Sequence, residues 1–286
     1  VDGDLNFFQK GLKKAVETNV VSKIRIDDAV RRILRQKFRL GLFKNPFPDA
    51  TFVSKIGTKA HRDKARQAVR ESLVLLKNED NLLPISKLTS KIVVVGEHAN
   101  NSGLQSGGWT VNWQGSLKSY KGATTILEGI KKKSSGKVVY DKEASAAHYD
   151  ADLAIVVVGE TPYAEFFGDI GHESNTRQLT LTKKHQQYID TYSKQGVKTI
   201  VVLISGRPLV VTNQIKQSNA FVAAWLPGSE GHGIAEVLFG DFNFSGKLPH
   251  SWPTSIHDFD QKYGPNFWDT TIKPLYPFGY GLTYKK

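Results

Sequence analysis

Two carboxylates and two tryptophans carry the chemistry this sequence could do. Glu160 and Glu165 lie in one loop, Gly159 to Asp169, among Tyr163, Phe166 and Phe167. Desolvation beside apolar rings favours the neutral form of an acid, which suits it to donate a proton near neutral pH. The competing reading is a pair of solvated loop acids. Trp109 and Trp113 stand four apart in Ser106 to Gly115, framed by glycines. An indole face can carry the apolar face of a sugar ring, with its N–H as a polar handle; the alternative is that one or both plug a core. A third stretch, Trp225 to Gly231, either lines the same end of the molecule or turns the chain into the next helix.

These stretches follow strands. Ile155-Val156-Val157-Val158 is a continuous β-branched run, the pattern of a strand covered on both faces, and Pro162 rules out its continuation. Similar runs at Lys91 to Val95, Lys137 to Tyr140, Ala151 to Val158, Thr199 to Ile204 and Ala220 to Leu226 predict five strands. Helical patterns fall between them, near 124–133, 144–150, 183–195 and 231–238, with a long amphipathic helix over 59–76. Ser205-Gly206-Arg207-Pro208 reads as a turn whose proline opens a helix. The alternation predicts an α/β fold: a mostly parallel sheet sandwiched between helices, with ligands held at the carboxyl ends of its strands. Upstream, residues 5–18 and 28–40 read as two amphipathic helices, the second capped by Asp27, and no strand accompanies them. Such a pair cannot bury its stripes alone.

Composition removes several classes. With no cysteine there is no thiolate metal site, disulfide framework or cysteine nucleophile. The net charge of +12 is spread along helix faces, and its one run, Lys131 to Lys133, sits at a helix end, so nucleic acid is not expected as a partner. No apolar run approaches the ~20 residues of a membrane span. No G-x-G-x-x-G follows the first strand, and P-loop and G-x-S-x-G motifs are absent. His98, His172 and His232 lack partners at ligand spacing and read as surface or loop histidines; neither metal nor cofactor is expected.

A collinear series of segments resembles the family 3 glycoside hydrolases, in particular the exo-acting β-glucosidases and exo-β-glucanases. Ile24 to Phe43 resembles the end of that family's barrel domain, and Glu71 to Asn78 with Leu82-Leu83-Pro84 the entry into its second domain. Gly107-Gly108-Trp109-Thr110, Gly159-Glu160 to Glu165, Ser205 to Pro208, Ala224 to Gly231 and Tyr276 to Leu282 complete the series, which covers essentially the whole chain.

The resemblance implies retaining hydrolysis of terminal β-D-glucosyl residues at a site between a (β/α)8 barrel and an α/β sandwich. The acid/base then maps onto Glu165 and the aromatic of the second sugar subsite onto Trp109. The nucleophilic Asp belongs to the barrel, and no Ser-Asp-Trp segment occurs here. Nothing marks Glu160, Asp169 or Glu173 as a substitute. The chain is therefore expected to be the C-terminal portion of a larger periplasmic or secreted enzyme, as its non-Met start also suggests. Residues 1–43 would be the last helices of a missing (β/α)8 barrel, 44–58 a linker and 59–286 the sandwich. The expected partners are a β-linked glucosaccharide and that barrel. The readings to set against this are a non-catalytic carbohydrate- or nucleotide-binding α/β module and a purely structural sandwich.

Overall fold

The computed structural model describes residues 5–145, 148–170, 178–259 and 273–284. The chain divides into two compact units, 1–58 and 59–286. The first holds α1 (Leu5–Glu17) and α2 (Lys23–Arg39). Ser22, not Asp27, caps α2: its side chain accepts the Arg25 N–H at 3.2 Å, satisfying one of the orphan amides of the first turn. Neither helix buries a single residue, and Leu5, Phe8, Ile33 and Phe38 are each more than half exposed.

The second unit is built on six strands: β1 (Val74–Asn78), β2 (Lys91–Val95), β3 (Lys137–Asp141), β4 (Leu153–Gly159), β5 (Thr199–Ile204) and β6 (Ala220–Trp225). Their order is β1-β6-β5-β4-β2-β3, with β1 antiparallel and the rest parallel. The expected mostly parallel α/β sheet is present. One edge strand departs from the sequence reading. The helix α3 (Lys59–Ser72) stops short of Val74 to Leu76, expected as its end, which form β1. Leu73, Val74, Leu75 and Leu76 are all buried, and four consecutive buried residues suit a strand between two layers better than a one-sided helix.

Alternation along β4 sends Ile155 and Val157 into one core and Val156 and Val158 into the other. The first core is closed by residues of α3 (Lys59–Ser72), α4 (Ile126–Lys133) and α7 (His232–Leu238). The second is closed by α5 (Lys183–Ser193) and α6 (Thr212–Gln217). A reciprocal capping box starts α4: Thr125 accepts from the Glu128 N–H at 3.2 Å, and Glu128 accepts from Thr125 at 2.7 Å. Pro208 does not open a helix. After β5 the chain bends at Gly206 and Arg207, and Val210 then pairs with Thr180 in a short bridge before α6 begins at Thr212. The helix expected near 144–150 is not formed in the described part of that stretch; residues 146 and 147 lie outside it.

Candidate functional site

The sheet order dictates where the loops open. After β2 the chain steps out to β3, then returns to the other side of β2 as β4. The connections leaving the carboxyl ends of β2 and β4 therefore set off toward opposite sides of the sheet, and this switch point is where open α/β sheets place their ligand crevice. Gly96 ends β2 with φ +97°, and a Cβ there would lie 2.2 Å from the Val157 carbonyl oxygen, so only glycine lets the two strand ends come this close.

Both Trp109 and Glu165 arrive at this crevice. The loop after β2 lies against the loop after β4 so closely that a Cβ on Gly108 would sit 2.1 Å from the Tyr163 carbonyl oxygen. Beside it the Gln114 side chain acts as a surrogate strand: it donates to the Ala164 carbonyl at 3.1 Å and accepts the Ala164 N–H at 2.9 Å. This fixes the residue before Glu165. The Trp109 indole donates to Glu165 Oε1 at 3.2 Å, and the Trp113 indole donates to Glu165 Oε2. Trp113 also stands edge-on to Phe166 and Phe167, 5.8 Å from each ring centroid. Glu165, Trp109 and Val111 have φ of +45°, +59° and +64°. Side chains rarely adopt this region, and such strain collects where function fixes the backbone.

Glu165 is exposed, as are Trp109 (70%) and Trp113 (42%). The expectation of an acid desolvated by aromatic rings is not met in this chain. Phe166 and Phe167 turn to Trp113, and the carboxylate faces outward between two indole N–H donors.

Glu160 is placed quite differently. Its side chain is 9% exposed and takes a forked pair of bonds from Arg207, Nη2 at 2.8 Å and Nε at 3.1 Å, both to Oε1. Arg207 also donates to the Gly168 carbonyl at 2.6 Å and stacks on Tyr163, whose hydroxyl donates to Glu160 Oε2 at 3.3 Å. The Ser205 to Pro208 turn thus delivers a guanidinium that ties both ends of the Glu165 loop together. Spacing does not mark Arg207 as a site residue; its partner lies 47 residues away, just past the end of the neighbouring strand.

The third stretch is mainly structural. The Trp225 indole donates to the Ser72 carbonyl at 3.0 Å, and buried Glu230 is held by Arg62 and Arg66 at 2.8 and 2.9 Å. Leu226 and Gly228 of this stretch reach the loop after β2: a Cβ on Gly107 would meet Leu226 Cδ1 at 2.7 Å, and the Gly228 N–H donates to the Gln105 carbonyl at 3.0 Å.

Below the crevice, the structure corrects the reading of His98 as a surface or loop histidine. It is fully buried, with its ring edge-on to His185, also buried, at 5.2 Å between centroids. His98 Nε2 lies 3.1 Å from the Glu160 carbonyl, and the His185 ring hydrogen-bonds the Gly159 backbone. Burial lowers the pKa of His98 and, with His98 and Lys184 nearby, brings that of His185 down to about 4. His232 is half-buried and lowered by the same cause. His172 and Glu173 lie outside the described residues.

The glycosyl hydrolase family 3 C-terminal domain model matches residues 73–284. The lysosomal β-glucosidase of Dictyostelium discoideum is 33% identical, over 96% of this chain and 36% of its own length. The periplasmic β-glucosidase of Salmonella typhimurium is 29% identical, over 97% of this chain and 43% of its own. The crystal structure of an exo-1,3/1,4-β-glucanase from a Pseudoalteromonas species superposes with a TM-score of 0.84 at 40% identity, over 98% of this chain and 36% of that one. The chain spans less than half the length of each of these relatives.

Proposed function

The chain belongs to glycosyl hydrolase family 3, and on that premise we propose that it forms the acid/base-bearing portion of an enzyme that removes terminal β-D-glucosyl residues from β-glucosides or β-glucans with retention. Glu165 is the general acid/base. The observation that carries this assignment is its carboxylate, exposed at the mouth of the crevice and oriented on both oxygens by uncharged donors. In the first step Glu165 gives its proton to the glycosidic oxygen as the C1–O bond breaks and a nucleophilic Asp, on a barrel portion outside this chain, takes C1. In the second step the Glu165 carboxylate removes a proton from water attacking that glycosyl ester. Trp109 supplies the stacking face for the leaving sugar.

The unburied apolar stripes of α1 and α2 fit a role as the closing helices of that barrel. The relative named as periplasmic supports a periplasmic or secreted enzyme. The test of the assignment is azide rescue in the complete enzyme. Glu165→Ala should accumulate the glycosyl-enzyme on an aryl glucoside with an acidic leaving group, and azide, which needs no base, should release it as the β-glycosyl azide. Rescue of Glu160→Ala with Glu165→Ala behaving as wild type would reassign the role. Rescue of neither would place the acid/base outside this chain and favour a non-catalytic carbohydrate-binding module.

A further inference from the structure

The floor of the crevice holds a group of side chains that the hydrolytic reading does not use. Glu97 and His98 sit in the 3-10 turn that follows β2, and His185 on the first turn of α5. One ligand atom from each lies within 4.8 Å of the other two. Two facts distinguish this group from an ordinary polar cluster. The Nδ1 atoms of His98 and His185 are both buried and without a hydrogen-bond partner. A buried polar atom left unpaired is costly, and such an exception calls for a water or an ion to satisfy it. Each ring is also oriented from its other side by a backbone oxygen at the end of β4: Glu160 for His98 and Gly159 for His185. A ring that donates Nε2–H to a carbonyl keeps its lone pair on Nδ1, which is how proteins orient an imidazole toward a metal.

We infer that Glu97, His98 and His185 form a divalent transition-metal site, of a chemistry suited to Zn2+, that pins the turn after β2 and the start of α5 beneath the strand end bearing the Glu165 loop. Two imidazole nitrogens and one carboxylate oxygen are a recurrent zinc donor set, with a fourth position left for water. A tetrahedral ion with ligands at 2.0–2.1 Å sets its donors about 3.3 Å apart, closer than the 4.8 Å limit here. Glu97 can supply the movement. Its side chain is 34% exposed, and its 3.8 Å pairing with Lys142 is loose, since Lys142 stands equally near Glu143 at 3.7 Å. The group lies at the switch point between β2 and β4. An ion there would join the turn after β2 to the start of α5, and would be structural for the loop above it rather than a participant in bond cleavage.

The experiment is a Zn2+ titration of the full chain after chelator treatment, followed by calorimetry and by thermal unfolding with and without the metal. One equivalent should bind with a dissociation constant of about 10 µM or tighter, and unfolding should shift upward as free Zn2+ exceeds that constant. Co2+ in its place should give the visible absorption of a nitrogen-and-oxygen site. His185→Gln should weaken binding on the order of 100-fold. Since that variant disturbs a buried position, Glu97→Gln at the partly exposed ligand is the companion, and it should weaken binding at least about tenfold with the unfolding temperature of the metal-free chain unchanged. The proposal is overturned if the wild-type chain takes up no stoichiometric metal, or if both variants bind it as the wild type does.

Discussion

Glu160 and Glu165 lie five residues apart in one loop, and their surroundings give them opposite capacities. Glu160 is nearly enclosed and faces a fixed cation, Arg207, that also bonds the far end of the loop. Removing either partner would strand the other's charge. Glu165 faces outward, and its partners are two neutral N–H groups, which lose no charge partner when the acid changes state. A carboxylate that must exchange protons every turnover belongs in the second setting. The first is suited to holding the loop that carries it.

The sharpest break of this comparison is in rate. In the complete enzyme, Glu165→Gln should lower turnover of glucosides with basic leaving groups by on the order of 10²–10⁴. Unfolding stability should move by no more than about 0.5 kcal/mol, as for an exposed site. Matched kinetics and denaturant melts check both halves. A large loss of stability would mean that Glu165, too, holds the loop.

Next in size is the converse. Glu160→Gln should destabilise the chain by about 3 kcal/mol, because removing one partner of a buried ion pair strands the other. Urea unfolding of this chain alone reads it. A change below about 1 kcal/mol would show that Arg207 finds other partners and that the clamp is not what fixes the loop.

Much of this arrangement was legible in the sequence, for reasons that also set the limit. The β-branched runs at 91–95, 155–158 and 199–204 can only be strands covered on both faces, so the sheet and its loop-bearing ends followed. Leu73 to Leu76 misled because it continues a helical pattern without a glycine or proline, and only its burial on all sides separates strand from helix. The pairing of Glu160 with Arg207 and the meeting of His98 with His185 were hidden for a different reason. The first joins residues just past two strand ends, and the second joins the turn after β2 to the start of α5; which of these are neighbours depends on the order of the sheet, which no local spacing encodes. The exposure of Glu165 does not follow from its aromatic neighbours in sequence, because these are not its neighbours in space. Phe166 and Phe167 spend their faces on Trp113 instead.

A smaller effect should come from the contact that brings the two loops together. Gly108→Ala puts a Cβ 2.1 Å from the Tyr163 carbonyl oxygen, a backbone atom that cannot rotate away. The loops must part, at a cost of about 1–3 kcal/mol as for other overpacked sites. The indole bonds to Glu165 should lengthen with them. Tryptophan fluorescence of the purified chain should report the altered surroundings of Trp109 and Trp113, and the melt should report the destabilisation. An unchanged spectrum and melt would show that the loops are not held at this distance.

The mildest prediction bears on Trp109, and it separates orientation from stacking. Its indole is 70% exposed and gives one 3.2 Å bond to a carboxylate that Trp113 also holds, so its loss should leave Glu165 tethered and the fold intact. What disappears is a face for the leaving sugar. Aromatic contacts are worth about 0.5–1.5 kcal/mol beyond the area they bury, so Trp109→Ala should slow disaccharide turnover by roughly threefold to tenfold. An aryl glucoside with an acidic leaving group has no second sugar to stack and little need of a proton, and should be nearly unaffected. Equal losses on both substrates would mean that Trp109 acts by placing Glu165 rather than by meeting the sugar. Trp113→Phe decides between these, because it removes the other N–H and keeps a ring against Phe166 and Phe167. If orientation is shared between the indoles, the two variants should match on the aryl glucoside. If stacking belongs to Trp109 alone, they should part on the disaccharide.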